Sequence, residues 1–371
     1  MASATDPSTE IPSTEAAPSH ANAFGLLRLI LASTVILQHA LDLTGHKNDT
    51  FLGLGHRVSI GDLAVGGFFG VSGYLLQSSV VRHAPRRYLR LRFYRLFPGF
   101  WTTLLVVAFL AGPIAAWLEG TLRTYPLVGQ QSAVTYVFFN SSLVMLQHNI
   151  GTLLGHIPWP AAFDGSLWSL APEFACYLVL LGATVVARRR GWASATGLGI
   201  VVAGSAAGFV AGRFAFGGLG AQFSLLCGLA FTFFTGSLIA TRGWLAEPHP
   251  RRALVLVGLS TMMVALGLWV PIGPPLLAAT VVAFGLSFNR GWPTRADARA
   301  DLSYGIYLYH FPVIQLLVLS GMSISATSAL LVIAPCAALI ASALATASWF
   351  LVEAPAQRRG RRRPSAGATG G

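Results

Sequence analysis

Residues 24–41 read FGLLRLILASTVILQHAL, an uninterrupted apolar stretch in which Arg28 and His39 are the only ionisable side chains. A helix of this length rises about 27 Å and nearly spans the hydrocarbon core of a bilayer, which is about 30 Å thick. Placing a histidine within a membrane span is costly, so such a residue indicates a functional site. The stretch therefore predicts a transmembrane helix that carries part of a site at His39.

Apolar stretches of similar length recur along the whole chain of 371 residues. Hydrophobic residues make up 54% of it and charged residues 10%, against about 25% charged in ordinary soluble domains. The stretches are continuously apolar, as membrane helices are, and do not alternate as barrel strands do. We therefore predict an all-α, polytopic helical membrane protein with candidate spans near 24–42, 59–80, 99–118, 132–148, 166–187, 195–213, 222–241, 253–270, 273–289, 302–321 and 327–352.

Basic residues decide how many of these candidates cross and in which direction. The candidate at 132–148 is the shortest and has Asn-Ser-Ser at its centre, so we place it on the outer face and count about ten transmembrane helices. With cytoplasmic N- and C-termini, 21 of the 25 lysines and arginines lie inside, as the positive-inside rule requires. Lys47 and Arg57 in the first loop weakly favour the reverse orientation. The pattern predicts a multi-pass protein of the cell (inner or plasma) membrane.

The chain is predicted to form one membrane domain between two short tails. Residues 1–22 are rich in Ser, Thr, Pro and Ala and lack Lys and Arg, which indicates a disordered cytoplasmic tail and not a signal peptide. Residues 23–357 form the membrane domain, and residues 358–371 form a basic cytoplasmic tail. The net charge of +12 comes from arginine clusters beside spans, so nucleic acid is not a predicted partner. The three cysteines are far apart and predict neither a metal centre nor a disulfide framework.

A second ionisable residue inside a predicted span is Glu173, which follows Pro172 in SLWSLAPEFACY (166–177). A proline within a helix removes a backbone donor and tends to kink it, which opens space beside the carboxylate. A histidine held by Glu173 is a general base near neutral pH. The alternative is a structural pair of Glu173 with an arginine. The segment LSYGIYLYHFPVI (302–314) adds a second histidine among tyrosines, as either a polar pocket or a core network.

Arginines crowd the segment RHAPRRYLRLRFYR (82–95), which we place at the cytoplasmic surface. Guanidinium groups bind phosphates bidentately, so the segment is suited to bind a phosphate-bearing cofactor. It is equally suited to set the orientation of the chain in the membrane and to contact anionic lipid headgroups. Arg28 and His39 share a face of their helix and lie about 16 Å apart along its axis. The glycine-rich run GDLAVGGFFGVSGYLLQSS (61–79) favours close helix packing, with a substrate groove as the alternative.

Together and in this order, these segments resemble the acyltransferase 3 family of integral membrane acyltransferases, which O-acylate bacterial surface sugars and related molecules. The resemblance runs from about residue 24 to 357. It implies transfer of an acyl group, usually acetyl from acetyl-CoA, to a hydroxyl of a sugar in a surface glycan, glycolipid or glycosylated metabolite. The sequence features on which the resemblance rests are the Arg28–His39 spacing, FFGVSGYLL, the arginine-rich stretch, SLWSLAPEFACY, YGIYLYHFPV and SWFLVEAP.

The resemblance and the residue patterns give one expected site. The family's histidine and arginine of the first span map to His39 and Arg28, its paired arginines to Arg90 and Arg92, and its Trp-Ser-Leu-x-x-Glu segment to residues 168–173. We expect His39, oriented by Glu173, to be catalytic without a metal. The predicted binding residues are Arg28, Arg90, Arg92, Arg86 and Arg87 for the phosphates of acyl-CoA, and Trp168, Ser169, Ser72, Tyr307 and His310 for the substrate.

Several alternatives remain open at this level. His39 acts either as a general base or as a nucleophile that carries the acyl group. A glycolipid transporter or flippase without thioester chemistry is the alternative function, although the two-half repeat typical of transporters is not evident. A sensor or structural membrane protein would tolerate loss of His39. The identity of the acceptor, the acyl chain length and the oligomeric state are not encoded visibly.

Overall fold

The computed structural model describes residues 22–46, 58–214, 218–288 and 301–362, and its regular secondary structure over these residues is helical. Residues 1–21 and 363–371 of the two predicted tails lie outside the described residues. The longer helices, in chain order, are α1 (Phe24–Leu43), α2 (Ile60–Arg82), α3 (Pro85–Leu118), α4 (Ala133–Asn140), α5 (Leu167–Arg189), α6 (Ser194–Phe214), α7 (Gly218–Arg242), α8 (Pro250–Ala265), α9 (Gly273–Ser287), α10 (Leu302–Leu319) and α11 (Ala326–Arg361).

Eight of these helices are long and apolar enough to cross a membrane, and the chain is a multi-pass membrane protein. Helices α8 and α9 have 16 and 15 residues and also coincide with predicted spans. Helix α4 has 8 residues, so it rises only about 12 Å and is too short to cross. The helix in segment 132–148 is therefore shorter than a span, while the predicted count of ten crossings stays a prediction.

The boundaries of the helices follow from local sequence signals. Ser59 and Asp62 form a capping box at the start of α2, in which each side chain accepts a hydrogen bond of 3.0 Å from the other residue's backbone N–H. Pro85 and Pro250 open α3 and α8, at the position where a missing N–H costs nothing. Because α3 begins at Pro85, most of the arginine-rich stretch is the first part of a membrane helix and not a separate surface segment.

The glycines of α2 let neighbouring helices approach closely. A Cβ added at Gly73 would lie 1.9 Å from the carbonyl oxygen of Phe233 on α7, and one at Gly236 would lie 2.3 Å from the carbonyl oxygen of Gly70. The hydroxyl of Ser237 donates to the carbonyl oxygen of Gly73 at 2.9 Å across the same crossing. The packing interpretation of this run is therefore correct at the α2–α7 crossing, as expected for small residues between membrane helices.

Helices α1 and α10 run parallel and set the axis along which the polar residues are arranged. Near the start of both helices, Arg28 on α1 pairs with Asp301, the residue before α10, at 3.1 Å. Further along, the rings of His39 and His310 lie edge to edge and nearly parallel, with their centroids 5.0 Å apart. The arginines and the histidines thus mark two levels of the bundle, and a cavity opens at each.

Candidate active site

A central cavity of about 770 Å³, counted with the part that is open to solvent, lies among α1, α2, α3, α5 and α10. Polar groups alternate with apolar ones along its wall. Its lining includes six predicted site residues, Arg28, Ser72, Arg92, Ser169, Glu173 and Tyr307, together with Arg95, Tyr177, Ser303 and Tyr304.

The basic end of the central cavity is built by Arg28, Arg92 and Arg95 around Asp301. Arg28 and Arg95 both donate to the same carboxylate oxygen of Asp301. Burial opposes ionisation of Asp301, but the guanidinium groups of Arg95 and Arg28 outweigh it and hold its pKa below its usual range. One carboxylate thus faces two guanidinium groups, and the wall of the cavity keeps a net positive charge.

Arg92 is the least neutralised of the three arginines. Its Nε is buried and makes no hydrogen bond to the described residues, although its guanidinium lines both the central cavity and a smaller one beside Gln357 and Arg361. A buried donor without a partner costs about 1–3 kcal/mol. An unpaired, charged, forked donor in a cavity is the group that binds a phosphate or carboxylate bidentately.

Glu173 lies in the central cavity, where its carboxylate oxygen Oε1 accepts two hydrogen bonds. The donors are the hydroxyl of Ser72, at 3.0 Å, and the hydroxyl of Tyr177, at 2.5 Å. His39 is not among these partners, and it lines a different cavity. The expectation that Glu173 orients His39 is therefore wrong in this structure, because Ser72 and Tyr177 occupy the carboxylate.

An outer cavity of about 1,030 Å³, again counted with its open part, lies at the level of the histidines. It is lined by His39 of α1, by Trp168 at the start of α5, and by the segment that precedes α5, which contributes Trp159 and Asp164. Asp164 is 1% exposed. Its burial raises its pKa to about 7, although hydrogen bonds from the side chain and backbone of Ser166 oppose the shift.

The hydrogen bonds of the two histidines fix which nitrogen of His39 is free. Nδ1 of His310 lies 2.8 Å from the carbonyl oxygen of Tyr307 and 3.2 Å from that of Ile306, so it carries a proton and donates. Nε2 of the neutral His310 ring is then an acceptor, and it lies 2.7 Å from Nδ1 of His39. Nδ1 of His39 therefore donates, and Nε2 of His39 bears the lone pair. The hydrogen bond from His39 to His310 therefore fixes the tautomer of the His39 ring.

The central and outer cavities approach each other at the start of α5. Trp168 lines the outer cavity and Ser169, its neighbour in the chain, lines the central one. Ser169 and Tyr307 are joined there through their hydroxyls at 2.6 Å, and Tyr307 also donates to the carbonyl oxygen of Ser166 at 2.8 Å. The ring of Tyr307 lies 5.8 Å from that of His310. Tyr307 therefore stands between the central cavity and the histidine pair.

Three predicted arginines do not line the central cavity. Arg86 is exposed near the start of α3, and Arg90 donates to the backbone carbonyl of Arg359 at 2.9 Å. Arg87 lies beside Arg86 in the same first turns and is likewise absent from the cavity wall. The reason is the helical period: Arg92 and Arg95, three residues apart, share one face of α3, whereas Arg90 points elsewhere.

Three contributors to the site were missed by the sequence reasoning. Arg95 could have been found from its spacing to Arg92, and Tyr177 from its position four residues after Glu173, one helical turn away. Asp301 gave no local signal, because its role depends on two arginines that are 273 and 206 residues away. His310 had been placed among the substrate-binding residues, and the structure gives it His39 as its direct partner.

Comparison with known proteins agrees with these observations. The acyltransferase 3 family, described as an acyltransferase domain, matches residues 22–353. An O-acetyl transferase of Shigella phage Sf6 is 27% identical over 307 residues, which cover 80% of this chain and 86% of the phage protein. Nodulation protein 10 of Rhizobium leguminosarum bv. viciae is 27% identical over 382 residues, with 94% and 96% of the two chains covered. No solved structure matches.

Proposed function

The chain belongs to the acyltransferase 3 family and is an acyltransferase, and we propose that it moves an acetyl group from cytoplasmic acetyl-CoA to a hydroxyl of a sugar-containing acceptor. The observation that carries the proposal is the free Nε2 of His39, which the His310 hydrogen bond leaves as a lone-pair acceptor at the outer cavity. A neutral imidazole with a fixed tautomer is what a general base near neutral pH requires.

The topology in this proposal has ten crossing helices, with α8 and α9 as the two short ones and both termini in the cytoplasm of a cell membrane. The arginine end of the central cavity then opens to the cytoplasm, where acetyl-CoA is made. The outer cavity opens on the opposite side. The two cavities give the donor and the acceptor separate entrances, which meet near Tyr307 and His39.

The donor is held mainly by the central cavity. Arg92, with Arg28 and Arg95 beside it, binds phosphate of acetyl-CoA, because its buried Nε has no hydrogen-bond partner among the described residues and its guanidinium lines the cavity. The pantetheine arm lies along α1, where Arg28 and His39 are about 16 Å apart. Ser72, Ser169 and Glu173 line this path and offer hydrogen bonds to the amides of the arm.

The chemical step is a direct transfer. Nε2 of His39 takes the proton from the acceptor hydroxyl as the hydroxyl oxygen attacks the thioester carbonyl carbon. The carbon–sulfur bond breaks, the new ester remains on the acceptor, and the CoA thiolate takes the proton back from the His39 imidazolium. His310 stabilises the imidazolium through the Nδ1 hydrogen bond. General-base assistance of this kind contributes about 10²- to 10⁴-fold to the rate.

The test is turnover of [¹⁴C]acetyl-CoA by membranes that contain equal amounts of wild-type protein or His39→Ala. We expect the wild type to release CoA and to label an extractable glycan or glycolipid, and we expect His39→Ala to lose about 10²- to 10⁴-fold of that rate. Tyr309→Phe is the matched control, because Tyr309 is buried on α10 and lines neither cavity.

Two results would refute the proposal. Undiminished labelling by His39→Ala would exclude His39 as the base. Acceptor export without CoA release by the wild type would favour the glycolipid transporter, since a flippase has no use for a thioester.

A further inference from the structure

Only one of the two carboxylate oxygens of Asp164, in the outer cavity, accepts hydrogen bonds from the described residues. Oδ1 of Asp164 accepts hydrogen bonds from the backbone N–H of Ser166, at 3.0 Å, and from the Ser166 hydroxyl, at 2.7 Å. Oδ2 is buried and accepts no hydrogen bond from the described residues. Buried polar atoms are almost always satisfied, and one that is not indicates an unseen partner. Asp164 lines the outer cavity, so the partner of Oδ2 can arrive from there.

The remaining wall of the outer cavity defines what that partner can be. Trp159, Trp168 and Phe311 supply apolar ring faces of the kind that cover the CH-bearing face of a small ring. Asp42 is a second acid on the wall, and the described residues that line the cavity include His39 and His148 but neither lysine nor arginine. An anionic ring would therefore meet the carboxylate of Asp164, with only His39 and His148 as basic side chains among those described residues. A neutral polyhydroxyl ring, or an amino sugar, meets hydrogen-bond acceptors and apolar faces.

We infer that Oδ2 of Asp164 binds a hydroxyl of the acceptor ring and that the outer cavity selects uncharged or amino sugars over uronic acids. This inference rests on the proposed acetyl transfer and assigns to Asp164 a binding role within it. The bound hydroxyl is a neighbour of the one that His39 deprotonates, since both residues line the same cavity. Asp164 thereby contributes to acceptor specificity and takes no part in activating the donor.

The experiment uses octyl β-glucoside and octyl β-glucuronide, below their micelle-forming concentrations, as acceptors for [¹⁴C]acetyl-CoA in membranes. Asp164→Asn is the variant, because its amide oxygen keeps the two Ser166 hydrogen bonds. At about pH 8.5, above the pKa of about 7 of Asp164, we expect it to raise the KM for octyl glucoside about 10- to 100-fold, the range for loss of a hydrogen bond to a charged group, with little change in kcat. The wild type should use the glucuronide at least about tenfold less well, and Asp164→Asn should narrow that difference.

Glu119→Gln is the matched control for this experiment. It removes one acidic charge from the same outer segment, keeps the oxygen that accepts from the backbone of Leu154 at 2.9 Å, and lies outside the cavity wall. It should leave both acceptors unaffected. A purely structural role for Asp164 would instead lower the melting temperature and kcat of Asp164→Asn without a selective change in KM.

Failure of the inference can be told apart from failure of the proposed function. If the wild type labels its endogenous acceptor and releases CoA but labels neither octyl glycoside, or labels both equally, the inferred acceptor class is wrong while the transferase stands. An unchanged KM in Asp164→Asn refutes the role of Asp164 alone. If the wild type turns over no acetyl-CoA at all, the proposed function is refuted, and the inference, which rests on it, is refuted as well.

Discussion

Replacement of His310 by alanine tests the tautomer argument most directly. The substitution removes the acceptor that lies 2.7 Å from Nδ1 of His39, so the His39 N–H loses a neutral hydrogen bond worth about 0.5–1.5 kcal/mol and stays buried without a partner at a cost of about 1–3 kcal/mol. His39 is then free to rotate or to exchange its tautomer. A loss of about 1.4–2.8 kcal/mol of transition-state stabilisation lowers kcat about 10- to 100-fold, less than the loss expected for His39→Ala.

The assay is release of CoA from acetyl-CoA at saturating donor, measured for His310→Ala, His310→Gln and Tyr309→Phe. A glutamine offers an amide oxygen to Nδ1 of His39, so His310→Gln should recover most of the lost rate. His310 is fully buried, and size-exclusion profiles in detergent identify any variant that fails to fold. Wild-type activity in folded His310→Ala, or equal loss in the alanine and glutamine variants, would refute the orienting role of His310.

Three further predictions concern the central cavity. Arg92→Ala should raise the KM for acetyl-CoA about tenfold or more while the acceptor KM is unchanged, because one charged hydrogen bond to phosphate is lost; an unchanged donor KM would exclude Arg92 from the donor site. Glu173→Gln should leave the pH dependence of kcat unchanged and raise the KM for acetyl-CoA by about threefold to tenfold. A shifted pH dependence would instead indicate that Glu173 is the partner of His39. Asp301→Asn should destabilise the protein by about 1–3 kcal/mol, between an exposed and a fully buried pair, since Arg28 and Arg95 lose their shared, partly buried carboxylate. The folded-state pKa of Asp301 is lowered, so its contribution is present above the ordinary value of about 3.9 and lost as the pH falls through the folded value. The difference in melting temperature between wild type and Asp301→Asn should therefore close in acid, and a constant difference would contradict the ion pair.

The fold was largely predictable because membrane helices are encoded locally. A bilayer leaves few structures other than apolar helices, so stretches such as 24–41 and 302–321 are recognisable without knowledge of their neighbours. The Asn-Ser-Ser centre of 132–148 likewise marked a candidate whose helix has only 8 residues. The start of α3 was less predictable, because a segment with so many arginines resembles a surface segment. In the structure the helix that begins at Pro85 continues past Pro98 into the apolar span.

The site was predictable in its residue types and less so in its pairing. Ionisable groups in apolar helices are recognisable from the sequence, and His39, Arg28, Arg92 and Glu173 all line the two cavities. Which of them touch is decided by how the helices are rotated and staggered, and a single sequence does not record that. The chemistry of the residues predicts Glu173 as the partner of His39, yet in the structure His310 of α10 is hydrogen-bonded to Nδ1 of His39.

The replacement of a carboxylate by a histidine as the partner of His39 has a chemical consequence. A carboxylate beside His39 would add a negative charge that favours the imidazolium form of its ring, whereas a neutral partner adds no charge. His310 is neutral, and its own Nδ1–H is committed to the carbonyl oxygen of Tyr307, so it fixes the ring of His39 without adding a negative charge. The carboxylate of Glu173 is kept in the other cavity by Ser72 and Tyr177. The bundle thus places the carboxylate of Glu173 in the arginine-lined central cavity and His39, with His310 as its partner, at the outer cavity.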